Sequence, residues 1–397
     1  EQIKVAVRVR PLLSHEKEIS DKKSWEWNEN SIQLLETEQN IFNLSSKNVK
    51  QAYQFDHLFS PESTNEIIFD SVVKNIVYAA MEGFHGSIFT YGQTSSGKTF
   101  TMNGDKNQPG ILPQAIAECF DAVNNMPGRD FILRVSYLEV YNEQIKDLLS
   151  MDVVPVRIQY DPKKGTVLTG VKEQVVLNTS QVLALIKAGE AQRHVGSTDM
   201  NEKSSRAHTL FKIIIESTPT STSSSTSSTS SNTKEAVKVS TLYLVDLAGS
   251  ESAKMTNSKG ERAREARHIN QSLLTLSTII QRLSEDRSSN TTTSGNSGNN
   301  TNSGTTSGSA SKKQHLPYRD SKLTRILESA LDGNAHIGII CTISPTIKCI
   351  EESTNTLKFA TRAKMIKMKA KINENYDDKT LLRVYKQEIE ELRLKLK

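Results

Sequence analysis

Residues 92–99 read Gly92, Gln93, Thr94, Ser95, Ser96, Gly97, Lys98 and Thr99. They fit the pattern G-x-x-x-x-G-K-[ST], in which every fixed position has a chemical task. The glycines let backbone N–H groups curl around an anion, Lys98 reaches the outer phosphates, and the Thr99 hydroxyl suits Mg²⁺. A nucleoside triphosphate is therefore the expected ligand. The setting agrees: residues 86–91 form an apolar, β-branched run of strand length, and Phe100 opens a segment expected to be a helix with its N-terminus toward the phosphates.

A phosphate cradle does not say what senses the γ-phosphate. Asp246 ends the apolar run 241–245, which reads as a buried parallel strand. That is where a P-loop enzyme places the carboxylate that holds Mg²⁺ through water, and Gly249 can bring a bare N–H close to the γ-phosphate. A second polar loop, 201–208, carries Ser204, Ser205, Arg206 and His208. Taken alone it reads equally well as a capping loop.

The three stretches in this order, with Glu251 closing the Asp246 loop, resemble the kinesin motor domain. Arg8, Arg10 and Pro11, the run 137–143 and the run 318–325 extend the resemblance over almost the whole chain. It implies an α/β P-loop NTPase fold with a central, mostly parallel sheet flanked by helices on both faces. It also implies ATP hydrolysis, with Mg²⁺, coupled to movement along microtubules. By resemblance, Arg8, Arg10 and Pro11 lie against the adenine, with Tyr91 and Phe100 at the same pocket. Thr99 and Ser205 contact Mg²⁺, and Asp246 holds it through water. Ser204 and Gly249 contact the γ-phosphate or the attacking water, and Arg206 pairs with Glu251. Ala207 departs from the serine usual at its position, which removes one hydroxyl from this loop. The run 129–143 looks most like the centromere-associated mitotic class.

The same resemblance marks a microtubule-facing surface. A cationic run such as 254–267 is ordinarily a solvated face, but here Lys254 and Lys259 precede the long amphipathic pattern 268–283, and Arg319, Lys322 and Arg325 follow beyond it. Residues 1–364 are the expected motor domain, 365–375 match a neck linker, and 376–397 show the 3,4 spacing of a starting coiled coil. Homodimerisation through that coil is expected in the full-length protein. A motor N-terminal to its neck implies plus-end direction. The subclass alternative is another N-terminal kinesin; the rival classes are a microtubule-binding module whose slow ATPase regulates attachment and, disfavoured because the neck follows the motor, a depolymerising ATPase.

Composition sets looser bounds. The 397 residues carry a net charge of +5, which suits an acidic partner without naming one. No nucleic-acid motif and no bilayer-length apolar run is present, so neither nucleic acid nor membrane is expected as a partner. Three cysteines in apolar runs, without C-x-x-C spacing, read as buried thiols in a reducing compartment. A cytoplasmic, cytoskeletal protein is expected, with the spindle as one destination. The first residue, Glu1, reads as the start of an excised piece.

The elements that must position these groups are legible as patterns. Residues 66–82 read as an amphipathic helix, 131–141 as a strand, 142–149 as the start of a short helix and 181–191 as a helix, while 355–364 resembles the last helix of the kinesin motor. Two tracts, 218–233 and 288–311, are nearly pure Ser, Thr, Asn and Gly, and lack the apolar content to order themselves. Lys312 and Lys313 end the second tract.

Overall fold

The computed structural model describes residues 2–18, 24–35, 52–152, 154–162, 165–195, 205–220, 237–251, 261–285 and 315–375. Ser204, Lys254, Lys259, Lys312, Lys313, most of the two polar tracts and the heptad-like 376–397 lie outside the described residues.

Alternation along the strands builds a sheet that is buried on both faces. Strand β1 (Lys4–Val9) sends Val5, Val7 and Val9 into one apolar cluster and Ala6 into the other. The remaining long-sheet strands are β2 (His57–Phe59), β3 (His85–Tyr91), β4 (Arg129–Tyr141), β5 (Gln174–Val176), β6 (His208–Pro219), β7 (Val237–Asp246) and β8 (Ala335–Ile343). Their spatial order is β5-β4-β6-β7-β3-β8-β1-β2. The centre, from β7 through β3, β8 and β1 to β2, is parallel as expected, while β5, β4 and β6 run antiparallel on one flank.

Helices cover both faces. On one lie α1 (Asn65–Met81), α2 (Lys98–Met102) and α3 (Ile111–Asn125), whose Met102, Ile111 and Ile116 pack with Ile88, Leu242 and Leu244. Helix α1 runs through Asn65–Ile68, a π-turn at Phe69–Val73 and Lys74–Met81. Thr64 caps it by accepting from Ile67 N at 3.3 Å. Helix α4 (Thr179–Val195) leads back toward β6. The opposite face carries α5 (Glu261–Glu285), α6 (Lys322–Ile326) and α7 (Ile350–Lys364). Here Ile279 and Leu357 are fully buried, each worth about 1.5–3 kcal/mol of transfer free energy.

Residues 142–149 are not a helix. Asn142 and Glu143 have φ of 51° and 54° and form a two-residue turn, after which Gln144–Asp147 pairs back on β4. The left-handed pair matches the twist of a hairpin and forbids a helix start. Residues beyond α7 return along the sheet. Ile3 N donates to Ile366 O at 3.2 Å, Lys369 N to Gly333 O at 2.8 Å, and Val239 N to Asn373 O at 2.9 Å. Glu374–Asn375 then pairs antiparallel with the start of β7.

Candidate functional site

Strand β3 delivers the chain to Gly92 at the carboxyl end of the parallel centre, where open α/β sheets bind ligands. Only glycine fits there: φ is +154°, and a Cβ would collide with the Thr342 carbonyl and stand 2.8 Å from Ser96 Oγ. Ser96 Oγ in turn donates to Gln93 O at 2.7 Å, fixing the turn. Arg10 Nε donates to Ser95 O at 2.7 Å and binds the loop to β1. Gly97, at φ +101°, opens α2, and a Cβ there would meet nothing nearer than Arg10 Cβ at 3.9 Å. That space, beside a helix start and a buried lysine, is what a phosphate requires.

Lys98 Nζ donates to Gln93 O at 2.8 Å and is almost wholly buried. Burial lowers its pKa, while Asp246 and Glu251 pull the other way. Asp246, at the end of β7, accepts from Thr90 Oγ at 2.8 Å and from Thr99 Oγ at 2.6 Å. Burial raises its pKa against the effects of Lys98 and the two hydroxyls. Thr99 and Asp246 provide adjoining hard oxygen donors, which fit Mg²⁺. Ser205 is brought in through its backbone: Gly249 N donates to Ser205 O at 2.8 Å, joining the loop after β7 to the turn before β6. Ser250 N donates to Gly92 O at 3.1 Å and ties the same loop to the phosphate cradle.

Glu251 departs from its expected partner. Its carboxylate accepts from Thr94 N at 2.7 Å and from Thr94 Oγ, so in this geometry Thr94 stands where Arg206 was expected. Arg206 is half-buried in the turn just before β6. Arg8 and Arg10 are also committed internally. Arg8 donates to Asn65 Oδ1 at 2.5 Å and Thr101 Oγ at 2.8 Å, and its guanidinium lies 5.0 Å from the centre of the Phe100 ring. Burial brings its pKa down to about 10. Arg10 is clamped by Glu16 at 2.7 and 2.6 Å. Both arginines thus position the loop and the Phe100 face, and Pro11 is exposed beside them.

Tyr91 does not join this pocket. Its ring stacks on Phe359 at 3.9 Å on the opposite face of the sheet, within the cluster under α5 and α7. Cys119 and Cys341 are buried as expected, but Cys349 is half-buried and accepts from Gln93 Nε2 at 3.1 Å. Sequence reasoning missed Thr90, Glu16 and Asn65. Thr90 was discoverable, since it lies two residues before Gly92 on the strand beside β7.

Arg319, Lys322 and Arg325 come together on a surface turn and α6, packed beside α5, with Gln271 Nε2 donating to Asp320 O at 3.0 Å. Arg319 is exposed; Lys322 and Arg325 are half-buried.

The profile of the kinesin motor domain family matches residues 8–366. The mitochondrial kinesin-like protein KIN-7D of Arabidopsis thaliana is 42% identical over 396 residues, covering 100% of this chain and 33% of that protein. Kinesin-related protein 11 of Dictyostelium discoideum is 46% identical over 356 residues, 89% of this chain and 48% of that protein. The chain spans about a third of the first curated relatives it matches. A solved dimer of KIF14, with AMP-PNP and in complex with a microtubule, superposes with a TM-score of 0.80 at 30% identity, over 97% of this chain and 99% of that one. A fast kinesin gives 0.76 at 30% identity, over 95% of each. The plant relatives are named KIN-7, so the resemblance of 129–143 to the centromere-associated class is not supported. A family profile over nine-tenths of the sequence, with the relatives' identity and the shared architecture, places this chain in the kinesin motor-domain family.

Proposed function

We propose that this chain is the motor segment of a microtubule-dependent ATPase that couples ATP hydrolysis to movement along microtubules. The observation that carries the reading is the convergence of three distant stretches. Thr99 from the phosphate loop meets Asp246 from β7 at 2.6 Å, and Ser205 from the β6 side meets Gly249 at 2.8 Å. Mg²⁺–ATP supplies the scissile anhydride and a divalent charge that offsets the phosphates. Lys98 neutralises charge at the outer phosphates. Thr99, Ser205 and Asp246 would hold Mg²⁺, whose charge would offset that of the phosphates. Ser204 and the Gly249 N–H, once released from Ser205 O, orient the γ-phosphate or the attacking water, and the Arg206–Glu251 pair forms when Glu251 leaves Thr94. Phe100 and Pro11 offer flat surfaces to the base.

Microtubules are the proposed partner, through Lys254, Lys259, Arg319, Lys322 and Arg325, in keeping with the microtubule-bound relative. Residues 365–375 serve as the neck linker, and 376–397 begin a dimerising coil. Plus-end direction goes with that order, and association with the microtubule cytoskeleton follows. The test is ATP turnover of the purified chain with and without microtubules. Stimulation by microtubules, abolished by Lys98→Ala, is the expected result. Unstimulated turnover, or turnover preserved in Lys98→Ala, overturns the proposal.

A further inference from the structure

The His208 ring sits at the start of β6, 2% exposed, with both ring nitrogens engaged by protein groups. Ala248 N donates to its Nδ1 at 3.0 Å. A backbone N–H can only donate, so Nδ1 is the acceptor and the ring proton resides on Nε2. Nε2 lies 2.8 Å from Ser272 Oγ, and Ser272 Oγ lies 2.8 Å from Ile269 O within α5. The serine proton goes to the helix carbonyl, leaving its oxygen to accept from Nε2. Donation therefore runs one way, from Ala248 through His208 and Ser272 to Ile269.

Both ends of this chain matter. Ala248 precedes Gly249, whose N–H is bonded to Ser205 O. Ser272 is buried on α5, the long helix beside the Arg319, Lys322 and Arg325 surface. The ring is neutral: burial, with Lys98's charge adding, lowers its pKa to about 3. A neutral ring is what lets one nitrogen accept while the other donates.

We infer that His208 is a positioning residue that makes the Ala248–Gly249 loop and helix α5 move as one body, through its two ring nitrogens. The inference rests on the proposed function for its microtubule readout but not for its structural one. Shifting Gly249 with a γ-phosphate pulls Ala248, and the ring transmits the displacement to Ser272. A side chain contributing only packing would instead weaken the fold as a whole.

Two variants divide the chain. Ser272→Ala removes the acceptor on α5, and His208→Gln returns an amide N–H toward Ser272 while leaving Ala248 without an acceptor. The first readout is hydrogen exchange across residues 268–276 with ADP and with AMP-PNP. Wild type should exchange differently with the two nucleotides, and both variants should lose most of that difference while still binding nucleotide. The second readout is turnover. Microtubule-stimulated kcat should fall about five- to tenfold in Ser272→Ala, the worth of one hydrogen bond, with basal turnover and the microtubule KM within about twofold. Wild-type nucleotide dependence of exchange in both variants, its absence from wild type, or proportional loss of basal and stimulated turnover overturns the inference. If wild type is not stimulated by microtubules, the proposed function fails, and the exchange readout alone still decides the role of His208.

Discussion

Replacing Gly249 by alanine separates catalysis from stability, because of what a methyl there would strike. Its Cβ would lie under 3.0 Å from both Glu251 carboxylate oxygens and from Thr94 Oγ. All three atoms are ends of side chains, and the Gly249 backbone is open to any residue. Glu251 is half-buried and can swing toward water. It would give up two charge-assisted hydrogen bonds to Thr94, each worth about 1.5–3 kcal/mol, and regain most of that as hydration, for a net cost of about 1 kcal/mol. The site suffers more, since a displacement of the order of 1 Å among reacting groups costs about 100-fold in rate. Gly92→Ala is the contrasting case. There the Cβ meets the Thr342 backbone carbonyl at a positive φ, for about 1–3 kcal/mol of overpacking and about 1–2 kcal/mol of left-handed strain. Urea unfolding and ATP turnover are measured on both variants. Gly249→Ala should keep a near-native midpoint with turnover down about 100-fold, whereas Gly92→Ala should lose stability first. Equal loss of stability in the two, or near-normal turnover in Gly249→Ala, would refute the reasoning.

Two further expectations concern charge. Arg193 on α4 is buried and donates to Glu139 at 3.0 Å. Burial alone would lower the Arg193 pKa, yet Glu190, Tyr137 and Glu139 more than offset it and the net direction is up. Arg193→Ala leaves Glu139 buried without its cation, so urea unfolding should show a loss of about 3–5 kcal/mol; a loss under about 1 kcal/mol would place that carboxylate in water. Lys322→Ala with Arg325→Ala should raise the microtubule concentration for half-maximal turnover several-fold and leave basal turnover unchanged. Unaltered cosedimentation at low salt would remove these residues from the interface.

The phosphate loop and the Asp246 strand were legible because glycine, lysine and hydroxyl chemistry at fixed spacing coincided with apolar runs of the right length. The hairpin at 142–149 was not. Asn142 tolerates a left-handed φ, but Glu143 at 54° is no turn signal, and the pairing with β4 that imposes it is tertiary. The site's cross-links were invisible for a related reason. Thr90 and Thr99 reach Asp246 across 156 and 147 positions, and Thr94 reaches Glu251 across 157; no local pattern records such distances. Tyr91 is different, because alternation alone assigns it. With Thr90 turned to Asp246, its neighbour must face the other way.

That parity decides more than one ring. In β7, Leu242 and Leu244 enter the cluster beneath α2 and α3, while Tyr243 and Val245 enter the one beneath α5 and α7. Asp246 continues the even set and so emerges on the side of α2, level with Thr90 and Thr209 in the neighbouring strands. In β6 the same rule sends His208 with Leu210 to the α5 face. The nucleotide side and the helix side of the sheet are therefore fed by residues of opposite parity, and the loop through Ala248 and Gly249 is where they touch. A slip of one residue of β6 against β7, with β7 held on β3, would turn the imidazole to the wrong face and part it from the α5 side. The apolar alternation that fixes the register of these strands thus also keeps the phosphate side and the α5 side distinct, and leaves their communication to a few polar atoms at the strand ends.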